Sequence, residues 1–208
     1  MKTLEVCEIF YSIQGESSFS GMPCIFIRLA GCNLDCSYCD TRYSHAKGRL
    51  MSFESILVEV EQYPVKLLEI TGGEPLCQAE TIPLMHALIT RGYKLLMETN
   101  GSLSLQDVPS EVVKIMDIKC PDSGEGESFL PENLSFLQPH DELKFVLSGR
   151  DDYLFAKDFL QNHPNLTQLI HFSVVWDRLK PELLASWLLE DGLNVKLSLQ
   201  LHKILDVK

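Results

Sequence analysis

Three cysteines share one short stretch of the chain, GCNLDCSYCD: Cys32, Cys36 and Cys39. Closely spaced thiolates on a loop bind either zinc or an iron–sulfur cluster. A closed zinc site needs a fourth ligand, which could be His45, Cys77 or Cys120. A thioredoxin-like pair is a weaker alternative because it needs no third cysteine. Three thiolates on a [4Fe–4S] cluster would leave one iron open, as catalytic metal sites do, and the spacing favours this interpretation over zinc.

A second candidate motif is Thr71-Gly72-Gly73-Glu74-Pro75, which follows the apolar run KLLEIT. Glycines let a ligand approach the backbone closely, and exposed main-chain groups together with Glu74 could bind an ammonium group. Taken alone, the motif is also compatible with a simple turn. Its position after a strand-like run places it where a ligand site is expected in an α/β protein.

These motifs must be positioned by the elements around them, and the sequence alternates strand-like and helix-like segments. Apolar runs predict strands at 24–30, 66–71, 93–99, 113–119, 142–149, 169–176 and 194–200. Helical spacing predicts helices at 51–63, 81–92, 151–163 and 181–191, the first three capped by Ser52, by Thr81 and by Asp151 or Asp152. A complete eightfold barrel typically needs about 250 residues. The pattern therefore predicts an α/β fold, an incomplete TIM-like barrel of about six parallel strands in one domain spanning residues 1–208, with the active site at the C-terminal ends of the strands.

Charge and composition exclude several classes of function. The formal net charge is −11 and no cluster of Lys and Arg is present, so direct binding of nucleic acid is not expected. The sequence shows neither an N-terminal apolar run of signal-peptide length nor a charge-free stretch of membrane-spanning length. We therefore expect a cytoplasmic protein without membrane contact. Seven cysteines, an odd number, make a disulfide scaffold a poor interpretation.

The spacing C-x3-C-x2-C, with Tyr38 just before the last cysteine, resembles the signature of radical S-adenosylmethionine (SAM) enzymes, and TGGEP resembles a second motif of that superfamily. The resemblance implies that the three cysteines bind a [4Fe–4S] cluster whose open iron chelates the methionine part of SAM. It also implies that Tyr38 packs near the adenine. The residues that this resemblance assigns to SAM are Tyr38, Gly73, Glu74, Glu98, Ser102 and Lys119.

Further stretches are similar to one family of that superfamily, the 7-carboxy-7-deazaguanine synthases. They are FYSIQGES (10–17), FIRLAGCNLDC (26–36), CDT (39–41) and LQLHK (199–203). The resemblance implies a carbon–nitrogen lyase that converts 6-carboxy-5,6,7,8-tetrahydropterin to 7-carboxy-7-deazaguanine with loss of ammonia, in the biosynthesis of deazapurines such as queuosine. It also implies catalytic use of SAM, dependence on Mg²⁺, an electron donor of the flavodoxin or ferredoxin type, and a homodimer.

The same resemblance assigns six residues to the substrate: Gln14, Gly15, Glu16, Arg28, Thr71 and His202. The guanidinium fork of Arg28 suits the substrate carboxylate, although an ion pair with Asp35 or Glu16 is an alternative. The hydroxyl of Thr41 would bind Mg²⁺, which prefers oxygen ligands. His202 would close the pocket from a C-terminal strand, and an ordinary structural histidine is an equal alternative. The motif continues with Ser17, where a glycine is common in the family.

Two other functions remain as alternatives. A radical SAM activase, which makes a glycyl radical on a partner protein, would share the cysteines and GGEP but would leave QGE, Arg28 and QLHK unexplained. A non-enzymatic zinc-binding module would bind one zinc and no iron, and it would not respond to SAM. The acidic segment 121–133 is either a mobile lid or an interface loop, and the sequence does not distinguish these.

Overall fold

The computed structural model describes residues 2–208, and its nine strands form one sheet. The strands are β1 (Thr3–Ile13), β2 (Pro23–Leu29), β3 (Arg49–Ser52), β4 (Leu67–Gly72), β5 (Lys94–Thr99), β6 (Val113–Asp117), β7 (Glu142–Leu147), β8 (Leu169–Val174) and β9 (Lys196–Leu197). Their spatial order is β3-β1-β2-β4-β5-β6-β7-β8-β9. β1 is antiparallel to β2 and β3, and every other neighbouring pair is parallel. The sheet does not close on itself, which confirms the predicted incomplete barrel.

Five α-helices accompany the sheet in the described part of the chain: α1 (Phe53–Val60), α2 (Thr81–Thr90), α3 (Arg150–Asn162), α4 (Pro181–Asp191) and α5 (Leu201–Leu205). Ser52 caps α1 as predicted, since its Oγ accepts from the Ser55 amide at 3.1 Å. The other two predicted caps are wrong in position. Glu80 holds the N-cap position of α2 without a capping bond from its side chain. α3 follows Gly149, although Asp152 accepts from the Ser148 amide at 2.9 Å and so satisfies a group at that end.

Four elements differ from the sequence-based prediction: β1, β3, β9 and α5. β1 was not predicted, and β3 takes the first residues of the predicted helix at 51–63. The predicted strand at 194–200 is reduced to the two residues of β9. The chain then turns into α5, because the Leu201 amide donates to the Gly15 carbonyl at 2.9 Å instead of extending the ladder. His202 therefore lies on a short helix, and its predicted place on a strand is wrong.

The strands separate apolar from polar residues by their period of two. In β4, Leu68 and Ile70 pack into the main core beside residues from the helices, whereas the alternate residue Glu69 points to the opposite, concave face. In β7, Phe145 packs into the same core and Lys144 lies on the concave face. The concave face thus carries charged side chains in its middle layer, and these side chains belong to rigid strands.

A second, smaller apolar cluster lies on the concave side of the sheet. It contains Leu67, Leu96 and Val113, together with Phe26, whose ring stacks on that of Phe10 at a centroid distance of 4.9 Å. This cluster fills the space between the sheet and the loop that joins β1 to β2. Apolar packing of this kind excludes water from the part of the concave face that the cluster covers.

No helix within residues 2–208 is long and apolar enough to span a membrane. All seven cysteines are free thiols.

Candidate active site

A cavity of about 240 Å³ opens at the carboxyl ends of the parallel strands. Its wall includes Arg28 at the end of β2, Thr71 at the end of β4, Glu98 in β5 and Asp117 at the end of β6. The residues predicted from sequence that line it are Gln14, Gly15, Glu16, Arg28, Cys32, Cys36, Tyr38, Cys39, Thr41, Thr71, Gly73, Glu98, Lys119 and His202. The structure therefore brings together residues that are distant in the sequence.

The loop that carries the three cysteines is anchored by a later segment of the chain. The Ser37 amide donates to the Ser123 carbonyl at 2.8 Å, and the Asp35 amide donates to the Glu125 carboxylate at 2.8 Å. The segment 121–133, for which the sequence left two roles open, thus supports the cysteine loop at its start. Burial raises the pKa of the Cys32 and Cys36 thiols, so binding of a metal there would release protons.

The thiols do not form a site for a single ion. Within residues 2–208, no three His, Cys, Asp or Glu side chains converge closely enough to hold one metal. Cys39 Sγ lies 3.7 Å from His45 Nε2, but Cys77 faces Asn33 and Cys120 is buried against the Ile118 carbonyl. Three thiols around one cavity suit a group larger than an ion, as a [4Fe–4S] cluster is, and the zinc alternative gains no support.

The glycines of TGGEP let the end of β4 pack directly against the cysteine loop. A Cβ on Gly73 would lie 2.0 Å from the Gly31 carbonyl oxygen and 2.8 Å from Cys32 Cβ. Gly72 has a φ of 141°, and a Cβ there would lie 2.2 Å from the Leu29 carbonyl oxygen. No other residue fits at either position without moving the backbone that carries Cys32.

Two residues predicted to bind SAM, Glu74 and Ser102, lie outside the cavity wall. The Glu74 carboxylate is fully buried and accepts from the Thr99 hydroxyl and the amides of Asn100 and Leu76, so it joins the ends of β4 and β5. Burial raises its pKa. Ser102 donates to Asn100 Oδ1 at 2.6 Å. Direct contact of either side chain with SAM stays a prediction and requires a rearrangement of these bonds.

Tyr38 and Lys119, two of the three remaining predicted SAM residues with polar side chains, are fixed by the protein. The Tyr38 hydroxyl donates to the Val146 carbonyl at 3.1 Å, and burial raises its pKa. Lys119 forms an ion pair with Asp117 at 2.8 Å. Burial alone would lower the pKa of Lys119, but Asp117 and the Cys36 sulfur raise it, so the side chain is a permanent cation beside the cysteines.

Arg28 is held by a partner that the sequence did not suggest. Its Nε donates to Glu8 Oε1 at 2.9 Å, and Glu8 also accepts from the Tyr43 hydroxyl and from Lys208. Asp35 pairs instead with Arg42, so the alternative ion pairs of Arg28 with Asp35 or Glu16 are wrong. The two terminal nitrogens of Arg28 make no hydrogen bond to any of residues 2–208, and they are free to bind a carboxylate ligand.

The loop after β1 contacts α5 closely. A Cβ on Gly15 would lie 2.0 Å from His202 Nδ1, so only glycine allows the imidazole its present place. Lys203 pairs with Asp40 at 2.7 Å, which ties the same helix to the cysteine loop. Ser17, where glycine is common in the family, has a φ of 62°. Its Oγ accepts from the Phe19 amide at 3.1 Å and offsets part of the strain of that conformation.

Several polar residues of the cavity wall were missed from the sequence, among them Glu69, Asp117, Lys144 and Gln200. Lys144 contacts Glu16, Glu98 and Asp117. Glu69 accepts from the Gln14 amide group, and burial followed by the nearby Glu98 raises its pKa well above the ordinary value. A signal was available, since KLLEIT, VKIMDIK and ELKFVLSG each place a charged residue inside an apolar run.

Comparison with known proteins agrees with this site. The family model for the Radical SAM superfamily matches residues 26–117, which contain the three cysteines and TGGEP. The chain is 48% identical to a 7-carboxy-7-deazaguanine synthase of Koribacter versatilis, over 97% of this chain and 96% of the relative. It is 45% identical to the synthase of Chlorobaculum tepidum, over 96% of this chain and 93% of that protein.

Solved structures have the same fold. A crystal structure of QueE from Escherichia coli is similar with a TM-score of 0.77 and 25% identity, covering 96% of this chain and 95% of QueE. Streptococcus suis SuiB bound to S-adenosylmethionine is similar with a TM-score of 0.56 and 14% identity, over 81% of this chain and 48% of SuiB, which supports the fold alone. The chain belongs to the 7-carboxy-7-deazaguanine synthase family within the radical SAM superfamily.

Proposed function

We propose that this protein converts 6-carboxy-5,6,7,8-tetrahydropterin to 7-carboxy-7-deazaguanine with release of ammonia, as a radical SAM carbon–nitrogen lyase on the route to queuosine and related deazapurines. One observation carries the proposal. A single cavity is lined by the three cysteines and by the side chains of Gln14, Glu16, Arg28 and His202. The chain that forms it is 48% identical to a 7-carboxy-7-deazaguanine synthase.

The [4Fe–4S] cluster would be bound by Cys32, Cys36 and Cys39. We assign to SAM the cavity residues Tyr38, Gly73, Glu98 and Lys119, together with Glu74 and Ser102, which lie outside the cavity wall. When bound, the cluster and SAM supply the radical chemistry. The chain's own contribution is to bind and orient the reactants. The apolar cluster on the concave face excludes water from the side of the cavity that it covers.

The substrate would lie between the cysteine loop and α5. Its carboxylate fits the free guanidinium nitrogens of Arg28, and the N–H donors of its guanine-like edge fit the carboxylate of Glu16. Gln14, Thr71 and His202 line the same space and would complete the polar contacts, while Gly15 leaves room for the imidazole.

Several finer assignments belong to the same proposal. Thr41 lines the cavity beside the cysteines and would supply a hydroxyl to Mg²⁺. The edge strand β3 exposes Leu50 by 65%, which supports a homodimer, because unpaired sheet edges favour association. Seven free thiols support a reducing, cytoplasmic location. The match to the radical SAM superfamily supports an electron donor of the flavodoxin or ferredoxin type, and one sheet with one cavity supports action as one domain on a small molecule.

The test is direct. The protein is reconstituted anaerobically with iron and sulfide and given SAM, reductant, Mg²⁺ and 6-carboxytetrahydropterin, and 7-carboxy-7-deazaguanine is measured by mass spectrometry. Product should disappear in Cys32→Ala and fall strongly in Arg28→Ala, whereas Cys77→Ala, which removes an exposed thiol outside the cavity wall, should retain it. A cluster that responds to SAM without any product would contradict the pterin assignment and favour the glycyl-radical activase.

A further inference from the structure

The ammonium group of Lys144 lies among three carboxylates that come from three different parts of the chain. It is 3.0 Å from Glu16 Oε2 and 3.8 Å from Asp117 Oδ2, and it also contacts Glu98. Its side chain is only 5% exposed. A lysine removed from water to this degree persists only where carboxylates compensate for its lost hydration.

Lys144 and Glu16 differ in how firmly their backbones are held. Lys144 belongs to β7, which pairs with β6 on one side and β8 on the other. Glu16 lies on the connection between β1 and β2, outside both strands. The orientation of the Glu16 side chain therefore depends on its partners, which are Lys144 and Gln200 Nε2, the latter donating to Oε1 at 3.0 Å.

These two contacts hold the Glu16 carboxylate without saturating it. A carboxylate offers about four lone-pair sites, and each of its oxygens here accepts one hydrogen bond from the protein. Each oxygen therefore keeps capacity for a donor from a ligand. Glu16 lines the cavity, so this capacity is directed at a bound molecule.

We propose that Lys144 is a positioning residue of the substrate site: it keeps the Glu16 carboxylate anionic and oriented toward the N–H donors of the pterin edge, and it links Glu16 to Glu98. This inference rests on the proposed function, because it takes Glu16 to be a substrate contact. Lys144 itself acts through Glu16 and takes no part in the chemistry.

The charges that face Glu16 show why Lys144 matters. Glu69 from β4, Glu98 from β5 and Asp117 from β6 are carboxyl groups, and His202 on α5 is the other basic group nearby. Burial alone would raise the pKa of Glu16, but Lys144, with a hydrogen bond from Gln200, lowers it to about 2. Without Lys144, both burial and the negative charges of Glu98 and Asp117 would favour a protonated Glu16. A protonated Glu16 would direct an O–H donor at the N–H donors of the substrate.

The first arm of the test needs no substrate. In the full chain labelled with ¹³C at glutamate carboxyls and assigned with Glu16→Gln, the Glu16 signal of the wild type should stay ionised from pH 7 down to about pH 4, well above its lowered pKa. In Lys144→Met it should take up a proton with a midpoint above the ordinary value of about 4.3. Lys144→Arg, which retains the charge, should behave as the wild type. An unchanged titration in Lys144→Met would overturn the proposal.

The second arm measures binding of 6-carboxypterin, a stable oxidised analogue of the substrate, to the reconstituted chain by fluorescence. Lys144→Met should bind about tenfold more weakly at pH 6 than the wild type and recover as the pH rises, while Lys144→Arg should bind nearly normally. A merely structural role for Lys144 would weaken binding equally at every pH, and that result would also contradict the proposal.

Lys114→Met is the matched control. Lys114 is 1% exposed and pairs with Asp141 at 2.8 Å, but it is not part of the cavity wall, so its removal should change neither measurement. Should Lys144→Met fail to fold, Lys144→Gln tests the same point, because the amide keeps donors and removes the charge. A shifted Glu16 titration together with a wild type that does not bind 6-carboxypterin would instead overturn the proposed function, and with it the assignment of Lys144 to a substrate site.

Discussion

The imidazole of His202 occupies the space that a side chain at position 15 would need, since a Cβ on Gly15 would lie 2.0 Å from His202 Nδ1. The loop after β1 and helix α5 therefore fix one another. Gly15 has no unusual φ, so the requirement for glycine is one of space and not of backbone conformation.

This contact predicts that Gly15→Ala displaces α5 and lowers kcat/KM by about a hundredfold, because small misplacements of binding groups have effects of that size. Steady-state product formation checks the result. Gly149→Ala is the control, since a Cβ there meets nothing within 4 Å. The double variant Gly15→Ala/His202→Ala should lose less transition-state stabilisation, measured from kcat/KM, than the sum of the losses in the two single variants. Strictly additive losses would show that the two residues do not act on each other.

The ion pair between Glu8 and Arg28 predicts a graded effect on substrate binding. Arg28→Ala removes the group that binds the carboxylate, whereas Glu8→Ala leaves the guanidinium in place but releases its orientation. We expect Glu8→Ala to raise KM by about tenfold with little change in kcat, and Arg28→Ala to have the larger effect. Glu59→Ala, which frees the exposed Arg49, is the control. An unaltered KM in Glu8→Ala would mean that Arg28 is held adequately by other contacts.

The buried carboxyl of Glu69 predicts a pH-dependent stability. Because burial raises its pKa well above 4.5, the folded state keeps a proton that the unfolded state releases. The stability contributed by this group is complete below about pH 4.5 and is lost as the pH rises through the folded-state pKa. Glu69→Gln, which mimics the protonated form, should therefore be more stable than the wild type at neutral pH.

The size of this effect is set by the shift in pKa, and one unit corresponds to about 1.4 kcal/mol. Urea unfolding at pH 5 and at pH 8 should show a difference in unfolding free energy between Glu69→Gln and the wild type that grows toward the higher pH. A difference that stays constant across this range would show that Glu69 does not retain its proton in the folded state.

The cysteines predict a simple analytical result. Cys36→Ser should lose most of the iron and sulfide that the wild type retains after reconstitution, because a [4Fe–4S] cluster would have only two thiolates left. Cys120→Ser should keep its iron, because that thiol is buried and does not line the cavity. Equal iron in both variants, or one zinc and no iron in the wild type, would contradict the assignment of the cysteine loop.

The cysteines, TGGEP and the parallel strands were predictable because each is encoded locally, either by spacing or by an apolar run. β1 was missed although its residues alternate in burial at its start, as in Leu4 and Val6, because it continues directly into the conspicuous QGE motif. The helix carrying His202 was missed because a bond from Leu201 to Gly15, which is remote in sequence, ends the strand.

The polar layer of the site was missed for a related reason. Glu69 and Lys144 lie in runs that are otherwise apolar, and such runs predict buried strands without showing which face each residue takes. Their partners, Gln14 and Glu16, come from the distant loop after β1. Pairing across a sheet is a tertiary property, so sequence could indicate that these charges need partners but not which partners they have.

The anchoring of the cysteine loop by residues 121–125 has a consequence for how the protein matures. The bond that Lys144 donates to Glu16 joins residues 128 positions apart, and the bond that the Asp35 amide donates to Glu125 joins residues 90 apart. Such contacts form late, since long loops must close before they contribute. When Cys39 has been synthesised, the nascent chain still lacks residues 121–125, which orient the cysteine loop. Assembly of the cluster should therefore follow folding of the sheet and should not guide it.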